Sequence, residues 1–209
     1  MRLLTAILSA VLAFAAGCAS GQSQTIRILT YNIHHGAGLD GRIDLERIAK
    51  IIDDTDADVV ALQEVDRGVE RSGGVDQPAE LAALTGMQAV FEMNIRFQGG
   101  DYGNAVLSRL PIEQHENHRL PNTLQREQRG VLEVHIQAGE QELIFFATHL
   151  DYGAGDADRL QSIDALRELV TQRSGVPLIL AGDMNASPES PVIAAVTGFL
   201  TDSFTGEAE

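Results

Sequence analysis

Asn32, Glu64, His149, Asp183 and Asn185 each stand at or just past the end of a short apolar run. Carboxylate and amide oxygens are hard ligands suited to Mg²⁺ or Mn²⁺. Such ions usually take one or two protein carboxylates and keep positions open for water and substrate phosphate. Glu64 is the leading candidate for a direct ligand, and a histidine among these groups can donate to a phosphate oxygen. Each residue alone has a plainer reading: Asn32 could open a turn, Glu64 could be a solvated charge, and Asp183-Met184-Asn185 could bond its own backbone. His149, after a run of Leu, Ile and Phe, could be a structural histidine. Zinc-cluster spacing is lacking, because Cys18 is the single cysteine and there is no His-x-x-x-His pair. His34 and His35 are adjacent and would point in different directions from an extended chain.

Placing these groups together requires strands that end at a common edge. Ile26 to Tyr31 reads as a strand stopping at Asn32, Val59 to Leu62 as one ending at Gln63-Glu64, Leu143 to Ala147 as one ending at His149, and Pro177 to Ala181 as one ending at Asp183. Between them, Asp44 can cap a helix with Leu45, Ile48, Ile51 and Ile52 on one face, and a short helix fits Ala79 to Leu84. Strands are predicted over Met87–Met93, Asn104–Ser108, Ile112–His115 and Gly130–Ile136. Leu160, Ile163, Leu166, Leu169 and Val170 mark a long helix. Hairpin-like successions mixed with strand–helix–strand units predict an α/β fold of two mixed β-sheets packed as a sandwich with flanking helices.

The 209 residues are 44% hydrophobic and 22% charged, in the range of one globular domain with a real core. The net charge of −15, with Lys50 the only lysine, argues against a broad duplex-DNA footprint. A metal ion can still supply positive charge locally, so nucleic acid stays possible but not favoured. Residues 1–18 read as an export signal: Arg2, an apolar run from Leu3 to Ala16, and Ala15-Ala16-Gly17-Cys18 as a small-residue cleavage site. The expectation is a bacterial lipoprotein, periplasmic or in the outer membrane and monomeric, lipidated on Cys18. Residues 19–25 form a polar tether and 26–209 the domain. The alternative is cleavage nearer Ala19 or Ser20, which would release a soluble periplasmic protein.

Five blocks, in order, resemble the signatures of the endonuclease/exonuclease/phosphatase superfamily with its DNase I-like fold. They are Thr30-Tyr31-Asn32-Ile33, Leu62-Gln63-Glu64-Val65, Gly103-Asn104-Ala105-Val106-Leu107-Ser108-Arg109, Thr148-His149-Leu150 and Gly182-Asp183-Met184-Asn185. The resemblance implies that Glu64 binds Mg²⁺ or Mn²⁺ and that Asn32 helps to orient the metal or an attacking group. It further implies that His149 donates to the scissile phosphate and that Asp183 and Asn185 position the attacking water and phosphate oxygens. Arg129 resembles a phosphate-contacting arginine, with a solvated strand-edge charge as the competing reading.

The implied reaction is in-line attack by water on a phosphoester or phosphodiester, with the cation stabilising the developing oxyanion. The resemblance also implies a general base in a C-terminal Ser-Asp-His block. No such block occurs in these residues, whose last histidine is His149. A C-terminally incomplete domain lacking its base and final strands is therefore expected, with His149 as a less suitable substitute base. Export and negative charge favour lipid headgroups or small phosphoesters as substrates, and the polar stretch from Asp66 to Gln77 could shape that choice. An alternative of another class is a catalytically inert lipoprotein that binds a phosphorylated ligand or a partner.

Overall fold

The computed structural model describes residues 8–13 and 25–203. Cys18 lies outside the described residues, as does the leader apart from Leu8–Ala13, a strand antiparallel to residues 25–30, and the tether apart from Thr25. Among the described residues, nine strands and four α-helices follow in the order β1 (Leu8–Ala13), β2 (Thr25–Asn32), α1 (Leu45–Asp54), β3 (Val59–Arg67), α2 (Gln77–Thr85), β4 (Gln88–Phe97), β5 (Gly100–Ser108), β6 (Ile112–Arg119), β7 (Gly130–Ala138), β8 (Gln141–His149), α3 (Ala157–Gln172), β9 (Leu178–Asp183) and α4 (Pro191–Thr197). One sheet has the order β1-β2-β3-β5-β4 and the other β6-β7-β8-β9. Each sheet is mixed, as expected, and each holds one parallel pair, β2 with β3 and β8 with β9. A helix bridges each parallel pair, α1 in the first sheet and α3 in the second. Among the described residues, no helix is long and apolar enough to cross a membrane.

Alternation along the strands sends one set of side chains inward and the other outward, which produces four layers. Ile26, Ile28, Val59, Ala61 and Val106 of one sheet meet Leu132, Val134, Ile136, Phe145 and Ala147 of the other. The outer face of the first sheet packs Leu29, Leu62 and Leu107 against Ile48 and Ile52 of α1 and Leu81 of α2. The outer face of the second packs Ile144 and Phe146 against Ile163 and Leu166 of α3 and Val192 of α4. The helices start where their caps dictate: Asp44 accepts from the Arg47 N–H, Asp76 from that of Ala79, and Ser190 from that of Ile193. Helix α4 carries no long apolar period, and the sequence reading does not anticipate it.

Two expectations need correction. β3 does not end at Glu64 but runs to Arg67, because its pairing with β5 shifts register between Leu62 and Val65. Glu64 sits in that bulge with φ 59°. A bulge turns a side chain that would otherwise follow the strand's alternation, and here it aims a carboxylate at the sheet edge. The histidine pair is likewise not extended: both His34 and His35 have φ 47°, in a 3-10 turn from His34 to Gly36.

Candidate active site

The carboxyl ends of the two parallel pairs meet at one edge, where β2 and β9 approach each other across the sandwich. Asn32, the last residue of β2, donates its amide N–H to Glu64 Oε1 at 2.8 Å and to Asp183 Oδ2 at 3.1 Å. Two carboxylates that would otherwise repel are held side by side by one donor. The Asn32 Oδ1 accepts from the His34 N–H at 3.0 Å, so this side chain positions both carboxylates and the histidine turn. Asp183 closes β9, and its other oxygen accepts from the Asn185 N–H at 2.9 Å. Asn185, with φ 46°, donates from its side chain to the Leu150 carbonyl and so fixes the β9 end against the loop after β8.

His149 is 4% exposed, with Nε2 3.9 Å from Asp183 Oδ2. Its Nδ1 lies 3.1 Å from an Arg129 guanidinium nitrogen. A guanidinium can only donate, so Nδ1 is the acceptor and the proton is on Nε2, facing the site. Burial and then the charge of Arg129 push the imidazole pKa down to about 4, against the pull of Asp183 and Asp151. A neutral histidine with its free N–H aimed at Asp183 is a donor. It is poorly arranged to act as a base, since its one basic nitrogen faces Arg129.

Arg129 is 5% exposed and pairs with Glu127 at 2.7 Å, so it is not a solvated edge charge. Its Nε has no partner among the described residues, and its guanidinium lies 5.9 Å from the Tyr152 ring centroid. Beside it opens a cavity of about 330 Å³ lined by Arg126, Glu127, Asp151, Tyr152 and Gly153. The loop carrying Asp151 and Tyr152 is tied down by Arg159, which donates to the carbonyls of Asp151, Gly153 and Gly155. Arg126 bonds the Asp151 carboxylate at 2.6 Å. Burial, opposed by Arg129 and reinforced by Glu64, raises the Glu127 pKa.

On the other flank the stretch after Glu64 is more than a surface loop. Asp66 is fully buried and binds Arg71 with both oxygens at 2.9 Å. Arg71 also lies over the rings of Phe97 and Tyr102. Burial and the nearby charge of Glu64 raise the Tyr102 pKa. Gln77, 0% exposed, accepts from the Asp66 N–H and donates to the His35 carbonyl at 2.7 Å. That side chain couples the bulged strand to the histidine turn.

His34, His35 and Glu64 offer ligand atoms within 4.8 Å of one another. His35 Nδ1 is buried without a partner among the described residues, and burial, with Arg71 and His34, lowers the His35 pKa to about 4. A neutral imidazole keeps one lone pair, and beside a carboxylate it can take a divalent cation. The sequence reading sets His34 and His35 aside as pointing apart, includes Gln77 only as the end of a polar stretch, and passes over Tyr152 and Glu127. The histidines could be found only by anticipating two left-handed residues in succession.

A family model described as the Endonuclease/Exonuclease/phosphatase family matches residues 29–203. The Escherichia coli (strain K12) protein YbhP is 31% identical over 173 residues, covering 78% of this chain and 68% of that protein. The crystal structure of an endonuclease/exonuclease/phosphatase from Beutenbergia cavernae aligns with TM-score 0.67 and 27% identity, over 83% of this chain. This chain spans about half of that one, 52%. The human Nocturnin catalytic domain with bound sulfate shares the fold at TM-score 0.65 and 24% identity, over 82% of this chain and 68% of its own. A mannosyl-6-phosphatase of Bacteroides thetaiotaomicron shares it at TM-score 0.68 and 18% identity, over 83% and 70%.

Proposed function

Because the chain belongs to the endonuclease/exonuclease/phosphatase family, we propose that it is a divalent-cation-dependent phosphoesterase working at the Asn32–Glu64–Asp183–His149 edge. The observation that carries this reading is the single Asn32 amide holding Glu64 and Asp183 together, next to a histidine whose proton faces them. Glu64 would hold the cation, Mg²⁺ or Mn²⁺ on the strength of its carboxylate. When bound, the cation neutralises charge developing on the phosphate oxygens.

The chain's own residues account for the rest. Asp183, kept open by Asn32 and the Asn185 N–H, accepts from a water and holds it in line with phosphorus. His149 donates its Nε2 proton as a hydrogen bond to a phosphate oxygen, and Arg129 fixes that tautomer by occupying Nδ1. Arg129 also brings positive charge next to the cavity, which is of a size for the group attached to the phosphate. The water oxygen bonds to phosphorus as the ester oxygen leaves; the water gives up its proton along its hydrogen bond to Asp183, the departing oxygen takes one from solvent, and positioning supplies most of the rate.

Charge supports a small phosphoester or a lipid headgroup over duplex DNA. The test is hydrolysis of bis-p-nitrophenyl phosphate and p-nitrophenyl phosphate with and without Mg²⁺ or Mn²⁺. Glu64→Ala should lower turnover by at least about 10²-fold. Turnover indifferent to chelator and to this substitution would sink the reading. We also propose export and lipid anchoring, supported by the run from Leu3 to Ala16 and by Cys18; cleavage before Cys18 would remove β1 and leave β2 as the edge strand of its sheet. Labelled fatty acid should enter the wild-type chain and not Cys18→Ala. Equal labelling, or none in either, would remove that proposal.

A further inference from the structure

We propose that His34 and His35 complete a mixed nitrogen and oxygen cation site with Glu64, which takes a dication of the Co²⁺–Zn²⁺ series more tightly than Mg²⁺. This rests on the reading of Glu64 as a cation ligand and adds the two ligands that decide which cation it prefers.

The first support is a backbone that is held against its own preference. Left-handed conformations of L residues cost on the order of 1–2 kcal/mol each, and here two occur in succession. The turn that imposes them is built from several directions. Asn32 Oδ1 takes the His34 N–H, Gln77 donates to the His35 carbonyl, and Gly36 accepts from the Asp44 N–H. Gly36 itself has φ 81°, and a Cβ there would press on Leu45 at 3.1 Å and on Gln77 and Ile43 at 3.3 Å. Strain maintained by this many contacts points to a use for the side chains it orients.

The second support is what the strain achieves. The two rings stack at a tilt with centroids 4.4 Å apart, both beside Glu64, which is itself left-handed in the β3 bulge. A structural histidine usually has its ring nitrogens satisfied, whereas His35 Nδ1 is buried and unpartnered among the described residues. Two imidazole nitrogens and one carboxylate oxygen lie within 4.8 Å of one another; three such ligands would leave an ion's remaining positions to water or a phosphate oxygen. Imidazole ligands favour Zn²⁺, Ni²⁺ and related ions, while Mg²⁺ gains little from nitrogen.

The full chain, stripped with chelator, should be titrated calorimetrically with Zn²⁺ and with Mg²⁺, and with Co²⁺ while visible absorption is followed. The variants are His34→Asn, His35→Asn and Glu64→Gln. Asparagine tolerates the left-handed conformation, so the turn survives. Each histidine variant should weaken Zn²⁺ binding by about 10- to 100-fold or more and diminish the Co²⁺ absorption, with Mg²⁺ affinity little changed. In the unmutated protein, Zn²⁺ should protect His34 and His35 from diethyl pyrocarbonate, read by mass spectrometry, and Mg²⁺ should not. Unchanged Zn²⁺ affinity in both histidine variants, or no protection by Zn²⁺, overturns the proposal. If Glu64→Gln alone abolishes Mg²⁺ binding in that case, the reading of Glu64 stands without it. Histidine-dependent Zn²⁺ binding with no Mg²⁺ binding at all upholds the imidazole site and removes Mg²⁺ as its ion.

Discussion

The Nε2–H tautomer of His149 follows from a single contact, the Arg129 guanidinium on Nδ1. Its depressed pKa also has a thermodynamic consequence. Between the unfolded value of 6.5 and the folded value of about 4, the unfolded chain binds a proton that the native site refuses. Stability must therefore fall as pH drops through that window. His35, lowered for a similar reason but more exposed, adds in the same direction. Thermal melts from pH 7 to pH 4.5 should show the decline, and His149→Gln should flatten it. A melting temperature equally pH-dependent in that variant would refute the assignment. Activity should likewise show no acidic limb near pH 6.5 from His149, since that residue stays neutral in the folded protein until the pH approaches 4.

Strand ends set the geometry, and the tightest of them is at β9. A Cβ on Gly182 would lie 2.0 Å from the Thr148 carbonyl oxygen, on the neighbouring strand and one residue from both His149 and Asp183. Gly182→Ala should cost about 2–4 kcal/mol and separate the β8 and β9 ends. Its activity loss should exceed what the unfolded fraction explains, as denaturant melts compared with turnover would reveal. Equal stability in the variant would contradict the packing described. This level of structure is largely legible in the sequence: Asn32, His149 and Asp183 close apolar runs, and all three do close strands. Glu64 is legible as a residue but not as a bulge, because an alternating pattern does not show where register slips. His34 and His35 are illegible for a related reason. A period of two presumes extended backbone, and nothing local announces two left-handed residues without glycine. Helix α4 is too short to display a period at all.

At the scale of the molecule, the outer faces of the sandwich are covered by helices and the site occupies one edge, half of it from each sheet. The acidic balance of the chain extends to this edge, where Arg71, Arg126 and Arg129 are each paired with a carboxylate, Asp66, Asp151 and Glu127, beside Glu64 and Asp183. On the proposed function, a cation held at Glu64 would supply positive charge locally, and this favours small anions that reach it over long polyanions that must lie across an acidic surface. The Asn32–Asp183 hydrogen bond joins residues 151 positions apart and spans the two sheets. Contacts of such separation form late, after each half has gained its own strands and helix. In refolding from denaturant, far-ultraviolet ellipticity should recover before cation binding or turnover. Simultaneous recovery would mean that the sheets dock as they form. Competence at this edge is thus a time-stamp, set by the last large event in folding rather than by the first.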